Sequence, residues 1–252
     1  MLKFTSVLIL TALLLVPQPS YAVKKLYSPN VEEGVLNVEV GAEVSQDDTL
    51  AILDNYKDVQ TNLNYGFSET LGFGLEMNAN EGSSVNDDMG YRLTGLESYL
   101  QFAEQHEGKG LSSGLRTEYE LNHSGSDRVN ASLLFDYVGE SFRYLINAGI
   151  YSDVNGDATT DKDLVGDVRV GVRYMLSDMF QPGVEYYSDT GELDELNDFE
   201  DQTQSAGPVV YGALTHNFYY EAGYLYGLTD QAADSTYKFS IGYKYDFDDL
   251  RN

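Results

Sequence analysis

The chain has no cysteine, only 5 prolines, 3 histidines, and 15 Lys and Arg against 41 Asp and Glu. Without cysteine there is neither a disulfide framework nor a thiol for a lipid anchor. The histidines are His106, His123 and His216, and His123 stands beside Ser124 and Ser126, candidate nucleophiles. Adjacency in sequence does not build a nucleophile, base and orienting acid. Zinc-ligand spacing, a phosphate-cradling glycine loop and a dinucleotide fingerprint are all missing. No catalytic residue, metal site or cofactor is therefore expected. The net charge is −26, and leaving out residues 1–22, which hold Lys3 and no acid, makes it −27. Such a balance repels nucleic acid and anionic polymers. Past residue 22 no segment approaches the roughly 18 consecutive apolar residues of a membrane helix. If the chain crosses a membrane, it crosses as a closed barrel.

What is present begins with a basic start at Lys3, an apolar stretch over 7–16 and small residues, Ser20 and Ala22, at the −3 and −1 positions of a cleavage site. This is the layout of a secretory signal peptide over 1–22, which leaves 23–252 as one domain. The rest is dominated by alternation. From 237 to 247 the odd positions are Tyr237, Phe239, Ile241, Tyr243, Tyr245 and Phe247, and the even ones Lys238, Ser240, Gly242, Lys244 and Asp246. A strand sends alternate side chains to opposite faces, so one face is apolar and the other wet. With 21 Tyr, 11 Phe and 24 Gly available for aromatic girdles and bends, the pattern predicts strands between lipid and a watery lumen.

Twelve such segments occur, at 35–44, 58–67, 71–81, 95–103, 111–122, 128–137, 142–152, 166–175, 180–188, 206–214, 218–228 and 237–247. The fold expected is all-β, a closed antiparallel transmembrane barrel of about 12 strands. In the fourth segment Leu96, Leu100 and Phe102 mark the outer face; the tenth has apolar residues on both faces, so its phase is open. Joins at 68–70, 138–141, 176–179 and 215–217 are tight, whereas 81–90, 153–165 and 189–205 are longer and acidic. Outer-membrane barrels pair short periplasmic turns with long outer loops, which puts both termini in the periplasm. Residues 50–56 are apolar enough to fold inward or extend a strand.

The long joins carry the acids. Residues 189–201 hold seven, with no base, and such a surface attracts divalent cations and suits bridging to lipopolysaccharide phosphates. Asp153, Asn155 and Asp157 imitate a calcium loop, but Ala158 and Leu164 stand where its glycine and bidentate glutamate belong, and a solvated loop is the expectation. The inward faces carry Glu39, Glu43, Glu76, Glu97, Arg116, Glu118, Arg128, Arg143, Arg169, Arg173, Glu185, Glu221, Lys238 and Lys244. Acids dominate the first four strands and bases strands six to eight. Two readings follow: opposed walls setting up a transverse field in a pore, or charges that pair and fill the interior.

Residues 26–34, Leu-Tyr-Ser-Pro-Asn-Val-Glu-Glu-Gly, resemble a lead-in, Y-S-P-x-V-E-x-G, of a group of uncharacterised Gram-negative outer-membrane proteins. Residues 180–187, 207–212 and 220–230 resemble the carboxy-terminal half of the same group. The resemblance implies an outer-membrane barrel of transport type and carries over no catalytic residue. Tyr243, Tyr245 and Phe247 resemble the terminal aromatic signal read by barrel-assembly machinery, although 248–252 run past it. The function expected is a porin-like channel for passive passage of small polar solutes or ions. The alternative is a closed structural or recognition barrel whose acidic loops bind cations or a partner.

Overall fold

The computed structural model describes residues 23–50, 53–81, 89–106, 108–123, 125–155, 164–194 and 196–247. The expected signal segment 1–22 and most of the calcium-like loop, 156–163, lie outside the described residues. Twelve strands run in chain order: β1 (Val35–Gln46), β2 (Lys57–Gly66), β3 (Leu71–Glu81), β4 (Gly90–Ala103), β5 (Gly110–Asn122), β6 (Asp127–Val138), β7 (Phe142–Val154), β8 (Val165–Tyr174), β9 (Gln181–Glu192), β10 (Thr203–Ala213), β11 (Phe218–Gly227) and β12 (Ser235–Asp246). Each pairs antiparallel with its neighbours, and β1 pairs with β12 from Val35↔Asp246 to Gln46↔Ser235, closing the sheet. Closure leaves no strand edge unpaired.

Alternation sorts the side chains as the sequence predicts. Phe73, Leu96, Leu133, Ile146, Tyr237 and Phe239 stand exposed on the outside, while Gln60, Asn62, Glu97, Asp136, Asn147 and Glu185 are buried within. An inverted arrangement of this kind, apolar out and polar in, has no place in a water-soluble core. Aromatic rings gather at the end that carries the short turns, with Tyr65 near Phe247 at 6.0 Å, Phe142 near Tyr174 at 5.2 Å and Phe218 near Tyr243 at 4.6 Å. The start of β1 and the end of β12 lie at that same end.

Three stretches differ from expectation. β4 begins at Gly90, five residues early, because a bulge opposite Asn78/Ala79 lets Tyr91 and Leu93 extend the ladder on β3. β9 and β10 run to Glu192 and from Thr203, so the acidic join is shorter than 189–205 and contains one 3-10 turn, Phe199–Asp201. The phase of β10 resolves with Val209 and Tyr211 inward, packed with Tyr187 and Leu225 in an apolar cluster inside the barrel. Within 50–56, of which 51 and 52 lie outside the described residues, Leu53 and Tyr56 are buried, and Ser45 N–H donates to the Tyr56 carbonyl at 2.8 Å, just past the end of the β1–β2 ladder.

Candidate functional site in the lumen

The lumen is occupied by the chain itself. Residues 23–32, ahead of β1, leave the rim where Gly34 N–H donates to the Gly66 carbonyl at 2.9 Å, and enter the barrel. They follow the wall from strand to strand. Val31 N–H donates to Gln101 Oε1 of β4 at 2.9 Å, and Pro29 lies against Gly114 of β5. Ser28 donates to Asp136 of β6 at 2.9 Å; Tyr27 N–H donates to Asn147 Oδ1 of β7, whose amide returns a bond to the Tyr27 carbonyl, both at 2.8 Å. On β8, Leu26 sits over Gly171 and Arg169 donates to the Lys25 carbonyl at 3.2 Å. The segment then crosses to β1, where Lys25 pairs with Glu39 at 2.6 Å, Lys24 with Glu43 at 3.0 Å, and Val23 lies on Gly41.

The inward glycines are what make room. A Cβ on Gly171 would come within 2.4 Å of Leu26 Cδ1, and one on Gly114 within 2.9 Å of Pro29 Cβ. Tyr27 packs on Tyr99 and Leu134, with Val31 against the same cluster. Apart from the bridge Glu33↔Gly66 at the rim, wall side chains rather than a strand ladder hold this segment. Bonds of that type exchange with water at little net cost.

Thirteen of the fourteen lumen residues named from sequence fall into ion-paired groups, Arg173 being the exception. Arg116 lies among Glu97 at 2.5 Å, Glu118 at 2.9 Å and Glu76 at 3.9 Å, and its guanidinium stacks 4.0 Å from the Tyr27 ring centroid. Ligand atoms of the three glutamates lie within 4.8 Å of one another, which is metal-holding geometry, but the guanidinium stands between them. Lys238 joins Glu185 at 2.7 Å and Glu221. Arg128 meets Asp153 at 2.9 Å, Arg143 meets Asp136 at 2.5 Å, and Arg169 meets Asp167 at 3.0 Å. Lys244 pairs with Glu32 at the rim, where both are exposed. Among the described residues Arg173 has only the ring of Tyr211, 3.2 Å from its guanidinium.

This pairing overturns the picture of opposed acidic and basic walls. Of the bases of strands six to eight, Arg128, Arg143 and Arg169 have acids on their own or the adjoining strand, and the acids of β1 are met by Lys24 and Lys25 of the inserted segment. Sequence reading missed the partners Asp136 and Asp167, the positioning amide Asn147, and the place of residues 23–32 inside the lumen. Spare volume at Gly41, Gly114 and Gly171 on inward positions was the available signal.

Below the segment, toward the short-turn end, lies a cavity of about 810 Å³ bordered by Tyr27, Asn64, Arg143, Arg173, Tyr211 and Asn217. Above it the lumen is filled by side chains, among them Gln60, Asn62, Asn78 and the Arg116 group. The histidines are apart: His106 in the β4–β5 join, His123 against Tyr91, and His216 in the β10–β11 turn. Among the described residues none of them is hydrogen-bonded to a serine or carboxylate side chain.

No protein-family model and no curated protein matches the chain. Solved structures do match it in fold. An outer membrane channel from Pseudomonas putida F1 superposes with a TM-score of 0.64 at 11% identity, covering 90% of this chain and 99% of that one. The NanC porin superposes at 0.56 and 12% identity, covering 83% of this chain and all of the other. The barrel fold implied by the lead-in resemblance is thus the fold observed, shared with outer-membrane channels and porins.

Proposed function

We propose that the chain is an outer-membrane diffusion channel for small polar solutes or ions, closed at rest by residues 23–32. One observation carries the reading: the twelve-stranded wall is wider than its own side chains fill, and residues 23–32 complete the closure. Eight strands enclose a space that side chains fill, whereas larger barrels leave cavities or channels. The exposed apolar outer face and the aromatic rings at the short-turn end support a bilayer setting. On this reading residues 1–22 direct export and are removed, both termini face the periplasm, and the longer acidic joins face outward toward lipopolysaccharide. Barrel-assembly machinery reads the β12 aromatics. The separation of the three histidines supports a non-enzymatic role.

The test is planar-bilayer recording of refolded 23–252 and of a form lacking 23–32. The full chain should give brief or small current steps, and the deletion larger, longer ones. The second reading, a closed structural or recognition barrel, is favoured by the filled lumen around Arg116. Silence from both proteins at high concentration sinks the channel and leaves that second reading standing.

A further inference from the structure

Arg173 stands apart from the other lumen cations. Arg116, Arg128, Arg143, Arg169, Lys238 and Lys244 each hold a carboxylate. Among the described residues Arg173 has neither an ion pair nor a hydrogen bond, and its Nε is a buried donor without an acceptor. Its guanidinium carbon sits over the Tyr211 ring, 3.2 Å from the centroid. Across β9 its partner is Gly183, which offers no side chain to cover it. It borders the cavity of about 810 Å³.

A buried guanidinium N–H with no acceptor is costly, and native structures leave few such groups unless something fills the gap. None of the acids bordering the same cavity pairs with Arg173: Glu39 is held by Lys25, Glu221 by Lys238 and Glu32 by Lys244, and neither Asp178 nor Asp246 forms an ion pair with it. Tyr211 directs its hydroxyl to Glu185, so its ring is fixed as a platform. A guanidinium stacked on a ring keeps its edge free, and that edge matches a carboxylate or phosphate group two bonds at a time. The cavity falls within the roughly 300–1,000 Å³ of small-molecule sites. Asn64 and Asn217 on its border supply neutral hydrogen-bonding groups for a hydroxylated solute.

We propose that Arg173 anchors a binding site for a small polar solute bearing an oxyanion, a carboxylate or a phosphate, in the mouth of the lumen at the short-turn end. This deepens the channel reading by naming a class of solute, and it rests on that reading only for treating the bound solute as cargo. Binding in the closed barrel needs no passage, so the test is kept separate from conductance.

The experiment is equilibrium dialysis of the full chain in detergent against sodium gluconate, inorganic phosphate and glucose. Saturable binding of gluconate alone assigns a carboxylate, of phosphate alone a phosphate, and of both an oxyanion site without preference. Arg173→Gln should weaken anion binding about tenfold or more, the worth of a charge-assisted bond. Arg173→Lys, which keeps the charge, should retain part of it. Unchanged heat-modifiable migration on gels checks that both variants are folded. Absence of saturable binding by either anion, glucose binding as tightly as gluconate, or an unchanged affinity in a folded Arg173→Gln protein would each overturn the proposal. A barrel that binds gluconate through Arg173 but never conducts refutes passage and leaves the site intact.

Discussion

Replacing Asn147 by alanine tests the closure directly. Its amide makes both of the bonds that fix the Tyr27 backbone, at 2.8 Å each, and all four atoms are buried. Asn147 sits at mid-strand in β7 with its side chain inside, so truncation leaves the ladder untouched. Each bond contributes about 1 kcal/mol net, and stranding a buried N–H and C=O adds a desolvation cost, so the seated segment should lose about 2–4 kcal/mol. At about 1.4 kcal/mol per tenfold, the unseated population should rise by roughly 30- to 1,000-fold. Water entering the adjoining cavity relieves part of the penalty, which makes the lower end the safer figure. Because the chain has no cysteine, Leu26→Cys gives a single thiol at a buried position on the segment. Its labelling by a maleimide reports the open population when seating is fast relative to reaction. In this background Asn147→Ala should label at least about 30-fold faster. Asn130→Ala, whose side chain accepts from Ser132 and, among the described residues, makes no bond to the segment, should label at the parent rate. Equal rates in all three proteins refute the view that Asn147 holds the segment.

Arg116→Leu removes the cation shared by Glu76, Glu97 and Glu118 and should cost about 3–5 kcal/mol as uncompensated buried charge. The urea midpoint should fall accordingly, and adding Glu97→Gln and Glu118→Gln should recover part of it. Gly66→Ala should unseat the segment more than Gly41→Ala does, as judged by the same labelling. The new Cβ at 66 meets the Glu32 carbonyl at 1.9 Å, while at 41 it comes no nearer to the segment than 3.5 Å, at Val23. Outside the strands, Asp47 accepts from Thr49 N–H at 2.7 Å, from Leu50 N–H, and from Asp234 N–H at 3.2 Å, tying the β1–β2 join to the β11–β12 join. Partial burial raises its pKa, but these backbone donors outweigh that and hold it below the ordinary 3.8. A group depressed on folding stabilises above its unfolded pKa and loses that contribution as pH falls through the folded value. Limited proteolysis of the 48–56 join should therefore accelerate below about pH 4, and Asp47→Asn should show the faster rate already at pH 7.

The wall of this barrel is legible because period two is written separately into each strand and needs no distant information. All twelve strands and the outward faces of Leu96, Leu100 and Phe102 follow from it. β10 resists because Val209 and Tyr211 turn inward to meet Leu225 and Tyr187, a cluster that alternation alone cannot foresee. The inserted segment resists for another reason. Residues 23–32 have no period, and their hydrogen bonds to Asp136, Asn147 and Arg169 span 106 to 144 residues of sequence. The misjudged electrostatics share that cause, since a base read strand by strand looks unopposed until Asp136 and Asp167 are seen beside it.

The inserted segment also sets a clock for assembly. It directly precedes the strand that must seal against the last one, yet its holds on β6, β7 and β8 cannot exist until those strands have been laid down. Once β1 and β12 have zipped over twelve residue pairs, the only ways in are the two mouths. The earliest part of this domain to be made is thus among the last to find its place, and the seam is the door that shuts behind it.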